Sequence, residues 1–184
     1  IGDKEKVFFK ANNLKELVNL LKKLNNQEKI FILGAGSNTL VKDSLYDGIV
    51  IKLSKNFNNI SLLREDVIIA GSAVSDKSLS DFAMNNNLSG FEFLSCIPGS
   101  IGGGIKMNAG CFGKEFKDIL LSVQAIDRLG NVKTTLSKDI DFEYRKNDLP
   151  DDLIFLSASF KGIKGDKKKI SDQIHKLKKE KEKN

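Results

Sequence analysis

The chain has 184 residues, 40% of them apolar and 29% charged, which is enough to bury a real hydrophobic core and is the composition of an ordinary globular protein. Its net charge of +6 is concentrated in residues 161–184, where ten lysines face four acids, while the other 160 residues balance 20 basic against 20 acidic groups. A basic run at the end of a helical segment is a solvated face that complements the helix dipole, so nucleic acid is not expected as a partner.

Residues 13–24 read as a helix: Leu14, Leu17, Val18, Leu21 and Leu24 share one face, and Asn13 with Glu16 forms a capping pair. Residues 29–33 form a short apolar run that predicts a buried strand ending at Gly34. Asp47-Gly48 marks a turn, and residues 49–53 predict another strand. Residues 54–59 read as a connection, and 60–63 with 67–70 as a hairpin around Arg64-Glu65-Asp66. A helix is expected over 78–87 with Leu79, Phe82 and Ala83 inward. The glycine-rich stretch 98–113 predicts little regular structure beyond a short helix at 103–107. Residues 123–127 and 131–136 flank a turn at Arg128-Leu129-Gly130, 154–160 make an apolar strand, and 167–183 a basic helix. Strands and helices alternate irregularly and no internal repeat is present, so the expected class is α+β rather than a doubly wound sheet.

Several function classes drop out. Cys96 and Cys111 make no disulfide framework, and neither sits at a metal-ligand spacing. The single histidine, His175, lies in the lysine-rich tail, which leaves no zinc cluster and no Ser-His-Asp set. No metal is expected. No apolar run approaches the roughly 18 residues of a membrane span, and no signal peptide is expected. The expected location is the cytoplasm, with no membrane partner. Ile1 begins in a strand-like context, so further residues are expected before it.

Two segments carry chemistry. The first is Leu33-Gly34-Ala35-Gly36-Ser37-Asn38-Thr39-Leu40, directly after a strand. Its glycines and Asn38 allow close backbone approach, so successive N–H groups can converge on an anion, with Ser37, Asn38 and Thr39 adding side-chain donors. No lysine follows as in a Walker loop and the spacing is not GxGxxG, so a mononucleotide P-loop or Rossmann site fits poorly. A plain glycine-rich turn remains the alternative. The second runs Ile97-Pro98-Gly99-Ser100-Ile101-Gly102-Gly103-Gly104-Ile105-Lys106-Met107-Asn108-Ala109-Gly110. Each glycine costs about 0.5–1 kcal/mol of chain entropy, so this density points to a surface pressed by a flat ring or a phosphate; a tight loop crossing is the alternative.

Those two segments, together with Asp47-Gly48, Ala70-Gly71-Ser72, Gly90-Phe91-Glu92-Phe93 and Tyr144-Arg145, resemble in order and spacing the UDP-N-acetylenolpyruvoylglucosamine reductase family, over residues 1 to about 160. The resemblance implies a two-subdomain FAD-binding fold of the vanillyl-alcohol oxidase/PCMH type. It implies one subdomain over 1–54, a second over 55–165, and a basic helix, 166–184, as an exposed connection to a C-terminal substrate domain. It implies noncovalent FAD, with residues 34–40 on the pyrophosphate, Gly71 and Ser72 beside the flavin, residues 98–104 around the ribityl and isoalloxazine groups, and Asn108, Ala109 and Gly110 completing the wall. NADPH would reduce the flavin, which would pass hydride to UDP-N-acetylglucosamine enolpyruvate for peptidoglycan precursor synthesis. Tyr144 and Arg145 would bind substrate, and Arg145 would polarise its carboxylate as the catalytic cation.

The chain departs from the family where Tyr-Arg-x-Ser becomes Tyr144-Arg145-Lys146-Asn147, and where Ile1-Gly2-Asp3 stands for a Gly-Gly pair. No segment resembles the family's C-terminal domain, which supplies the proton donor, so this chain is not expected to complete the reaction. Cys96 and Cys111 read as small packing residues. Read without the resemblance, Arg145 is a surface ion-pair residue beside Glu143 or Asp148, and Tyr144 a strand or core residue. Two alternatives stay open: a non-catalytic FAD- or nucleotide-binding module, and an oxidase of the same superfamily with covalent flavin.

Overall fold

The computed structural model describes residues 7–24, 28–39 and 46–183. The first element, β1 (Val7–Ala11), leads into α1 (Leu14–Lys23). Asn13 caps α1 by accepting from the Glu16 N–H at 2.9 Å, and Glu16 reaches back to accept from the Asn12 N–H at 2.8 Å. These reciprocal bonds satisfy donors that the helix start would otherwise leave orphaned. β2 (Ile30–Ile32) and β3 (Ile49–Leu53) complete a parallel sheet of order β1-β3-β2, with Phe9 opposite Ile51 and Ile51 opposite Ile32. The strand expected to be buried at 29–33 is a half-exposed edge strand of three residues; β3, flanked by strands on both edges, buries one face through Ile49, Ile51 and Leu53.

A second, antiparallel sheet has the order β10-β9-β13-β5-β4. It comprises β4 (Ile60–Arg64) and β5 (Val67–Gly71) as a hairpin, β9 (Leu120–Ile126), β10 (Val132–Leu136) and the long β13 (Ile154–Lys161). Between β5 and β9 the chain makes α2 (Asp76–Asn85), β6 (Leu88–Ser89), a 3₁₀ turn (Glu92–Cys96), α3 (Ile101–Lys106), and the small pair β7 (Gly110–Cys111) and β8 (Lys114–Glu115). β11 (Phe142–Glu143) and β12 (Lys146–Asn147) form a short hairpin; β14 (Ile163–Lys164) pairs with β6, and α4 (Lys167–Glu182) follows. The α+β class expected from the sequence is the one found.

Two apolar clusters hold this together. Leu17 and Leu21 of α1 and Ile49, Ile51 and Leu53 of β3 pack with Phe57 and with Ile126, Ile154 and Leu156, which docks the small sheet on one end of the large one. The larger cluster joins α2, α3, Phe91, Phe93, Phe116 and Phe160 to the face of the large sheet.

Local boundaries differ from expectation for identifiable reasons. α2 begins at Asp76 because Ser75 is its cap, accepting from the Ser78 N–H at 3.0 Å. α3 begins two residues before the short helix expected at 103–107. α4 is not an exposed connection: Ile170, Ile174 and Leu177, one helical stripe, are buried, and only the remaining faces carry the lysines.

Candidate functional site

The loop 34–39 leaves the C-terminal end of β2 and meets the start of α3. An ideal Cβ on Gly34 would lie 2.8 Å from the Ser100 hydroxyl, so the two segments approach closely and a larger residue would have to turn that hydroxyl aside. Leu33 N–H still bonds the Ile51 carbonyl at 2.9 Å, but beyond it the backbone N–H groups of Ala35, Gly36, Ser37 and Asn38 donate to no carbonyl among the described residues. All four residues are exposed. A run of exposed, unspent N–H groups suits an anionic ligand such as a pyrophosphate. Gly36 has φ +80°, so replacing it with a β-branched residue strains the loop whatever its role. Leu40 lies outside the described residues.

The glycines expected at the cofactor divide by what surrounds them. Gly71 faces the Phe57 carbonyl oxygen at 2.1 Å from an ideal Cβ, Gly104 the Phe116 ring at 2.2 Å, and Gly110 the Lys114 carbonyl oxygen at 2.2 Å. Protein packing alone demands these three. Gly102 is tight against Ser72, 3.1 Å from its Cβ. Gly103 is different: it is exposed on α3, and its nearest neighbour would be the Ser100 hydroxyl at 3.7 Å. A helix gains roughly 1 kcal/mol when an interior glycine becomes alanine, so a glycine that packing does not require leaves an open backbone face. That face and the unspent N–H groups of loop 34–39 fit a flat, phosphate-bearing cofactor such as FAD.

Other expected positions are buried within the protein. Ile101 is a core residue with no exposed surface, and Ala109 is 6% exposed. Pro98 is exposed beside them, with Gly99 half-buried. Asn108 is 1% exposed and its amide is fully engaged: it donates to the Glu115 carboxylate and the Glu143 carbonyl, each at 3.1 Å, and accepts from the Lys117 N–H at 3.1 Å. The Asn108 side chain knits loops rather than facing outward.

Asp76 carries no signal in the sequence beyond that of an acid near a helix start. It sits in the first turn of α2, ahead of the helix expected over 78–87, and it is fully buried under Gly99, whose ideal Cβ would lie 2.5 Å from its carboxylate. Both carboxylate oxygens, and the buried hydroxyls of Ser72 and Ser80, lack protein partners among the described residues. Burial pushes the Asp76 carboxyl up to about 7. The α2 N-terminus favours its anion by about 0.3–1 kcal/mol, which is outweighed because each pKa unit is worth about 1.4 kcal/mol. The native state therefore holds this proton where the unfolded chain releases it, and stability falls as pH rises from about 4 through about 7. Asp76→Asn is expected to stabilise the chain more at pH 8 than at pH 5, by about 3 kcal/mol, as read from urea midpoints. An equal effect at both pH values contradicts this.

Tyr144 and Arg145 form the turn between β11 and β12. Tyr144 is 84% exposed, and Arg145 holds φ +60° with its guanidinium 6.0 Å from the Tyr144 ring centre. Arg145 makes no ion pair with Glu143 or Asp148; the Asp148 carboxylate accepts from the Asp141 N–H at 2.9 Å. Glu115 is held below the usual carboxylate range chiefly by its bond from Lys117, and the Arg145 charge adds to this. The arginine is thus presented at an exposed turn, without a carboxylate partner among the described residues. Cys111 donates to the Phe93 carbonyl at 3.3 Å, and burial pushes its thiol up to about 11. His175 lies on α4, its Nδ1 2.8 Å from the Ser171 carbonyl oxygen. Among the described residues no cluster of ligating side chains could hold a metal, and no helix is long and apolar enough to cross a membrane.

Residues 6–136 match the FAD binding domain family. The chain is similar to UDP-N-acetylenolpyruvoylglucosamine reductase of Pelagibacter ubique (strain HTCC1062), 62% identical over 183 residues that cover 100% of this chain and 61% of that protein. The protein of the same name from Rickettsia typhi (strain ATCC VR-144 / Wilmington) is 44% identical, covering 96% and 60%. The chain thus spans about three fifths of the length of these curated relatives. Among solved structures, UDP-N-acetylenolpyruvylglucosamine reductase (MurB) from Thermus caldophilus superposes with TM-score 0.84 at 27% identity, over 95% of this chain and 62% of that one. Quinoline 2-oxidoreductase from Pseudomonas putida 86, at TM-score 0.64, 14% identity and 88% and 60% coverage, shares the fold alone.

Proposed function

Because this chain belongs to the FAD binding domain family, we propose that it is the flavin-binding part of a cytoplasmic oxidoreductase that reduces UDP-N-acetylglucosamine enolpyruvate at the expense of NADPH, as the names of its relatives suggest. The observation that carries the reading is the exposed Gly103 on α3, a backbone face left bare without any need from packing. The exposed N–H groups of residues 35–38 hold the pyrophosphate, and the face of α3 admits the flat part of noncovalently bound FAD. When bound, FAD supplies two-electron chemistry, taking hydride from a nicotinamide and giving it to an electron-poor alkene.

The chain's own contribution to that chemistry is electrostatic and positional. Hydride addition to an enolpyruvyl double bond builds negative charge toward the carboxylate. Arg145 answers it with an exposed guanidinium that makes no ion pair among the described residues, the neighbouring Glu115 being bonded to Lys117. Tyr144 beside it offers an exposed ring and hydroxyl to the same substrate. The carbon next to the hydride acceptor also needs a proton from a placed acid. Cys111 is unsuited, since its S–H is spent on the Phe93 carbonyl and burial, by pushing the thiol up to about 11, makes it a poor acid. We place the donor outside these residues.

In a protein extended to the length of its relatives, Arg145→Ala is expected to lower turnover by about 10- to 100-fold, the loss of one charged hydrogen bond, with FAD content unchanged. Turnover equal to wild type contradicts the role of Arg145. Acid precipitation is expected to leave FAD in the supernatant; flavin that stays with the pellet contradicts noncovalent binding.

A further inference from the structure

The Tyr144–Arg145 turn is fastened to the end of α3 from both of its strands. From β12, the 6% exposed Asn147 donates through Nδ2 to the carbonyls of Ile105, at 2.9 Å, and Lys106, at 3.1 Å; its Oδ1 accepts from the Leu149 N–H at 3.1 Å. In the other direction Asn108, two residues past α3, donates to the Glu143 carbonyl on β11 at 3.1 Å. Each segment therefore holds the other's backbone through a buried amide. The strands between are short, with only Phe142 opposite Asn147 and Glu143 opposite Lys146. Such a two-rung hairpin has little stability of its own. At its open end Phe142 packs half-buried against the core and Asp141 and Asp148 bond each other, but at the turn end Glu143, Tyr144, Arg145 and Lys146 are all exposed and contribute no packing. Both ends of the fastening matter to the site, because α3 carries the bare glycine face and the turn carries the unpaired guanidinium.

We propose that Asn147 and Asn108 are positioning residues, a reciprocal amide clamp that fixes the Arg145 guanidinium relative to the cofactor-facing helix. The assignment rests on the reading of Arg145 given above. Asn147 is suited to the task in a way its charged isostere is not. The carbonyls at the end of a helix need donors, and Asn147 supplies two N–H groups to two of them. An aspartate in its place would instead turn acceptors toward both.

The test is amide hydrogen exchange on the whole chain, with and without FAD, for wild type, Asn147→Asp and Asn147→Ser. Asn147→Asp is expected to speed exchange of residues 143–149 at least about tenfold, from the loss of two net-favourable hydrogen bonds, and to leave β9 and β13 unchanged. Asn147→Ser keeps one donor, is the milder variant if the first fails to fold, and should give a smaller acceleration. Unchanged exchange in 143–149 in either folded variant overturns the clamp. Positioning, as against mere bracing, is read from the flavin absorbance of the FAD-loaded chain. Arg145→Ala and Asn147→Asp should shift the visible band alike, and the double variant no further. Additive shifts overturn the positioning role. A band unmoved by Arg145→Ala, with FAD bound, overturns the positioning of the guanidinium against the cofactor, whereas the reading of Arg145 toward substrate stands or falls on turnover.

Discussion

Replacing Gly104 with alanine is expected to destabilise the chain by about 2–4 kcal/mol, at the upper end of what overpacking costs. The added methyl would lie 2.2 Å from Cε2 and 2.4 Å from Cζ of Phe116. Phe116 cannot step aside: it has no exposed surface, and it stands edge-on to Phe93 at 6.4 Å and to Phe160 at 6.1 Å. The helix-propensity gain of about 1 kcal/mol for leaving glycine is too small to offset this. Thermal unfolding should show the transition lowered by roughly 5–15 °C, using about 2–4 °C per kcal/mol for a domain of this size. An unmoved transition would mean that α3 can shift away from the Phe116 ring at no cost.

How much of this the sequence disclosed depends on the range of the interaction. Elements set by neighbours in the chain were legible: the α1 stripe with its Asn13–Glu16 cap, the hairpin of β4 and β5, and the helical span of α4. The burial of α4 was not anticipated, because its lysines dominate the composition while three apolar residues, Ile170, Ile174 and Leu177, decide its packing. The resemblance brought Tyr144 and Arg145 to attention, whereas the residues alone favoured an ion pair. The structure shows the turn without that pair, since Asp148 is engaged by the Asp141 N–H.

What remained hidden was long-range and polar. Asp76 looks like any acid at a helix start; its burial follows from Gly99, far along the chain, closing over it. The roles of Asn108 and Asn147 come from partners 35 and 42 positions distant. The glycine runs were visible as runs, but a sequence cannot say which member is needed by packing. Gly71 and Gly104 are; Gly103 is not.

That last contrast gives the most direct measurement of the central claim, which is that loop 34–39 and the bare face of α3 hold FAD. Gly103→Ala meets nothing closer than the Ser100 hydroxyl at 3.7 Å, so the protein should tolerate it. Its unfolding transition should stay put or rise by a few degrees, as an exposed helical glycine-to-alanine change gives up to about 1 kcal/mol. A cofactor lying against that backbone must retreat from the new methyl, at a cost of about 1–3 kcal/mol, or roughly 5- to 150-fold in affinity. Titrating FAD into the wild-type chain and Gly103→Ala, followed by flavin fluorescence, therefore separates folding from binding in a single substitution. The account predicts saturable FAD binding by the wild type and a loss of about 10-fold or more in the equally stable variant. Equal affinity in the two would show that the cofactor does not lie on α3, and absence of binding to the wild type would contradict the claim altogether.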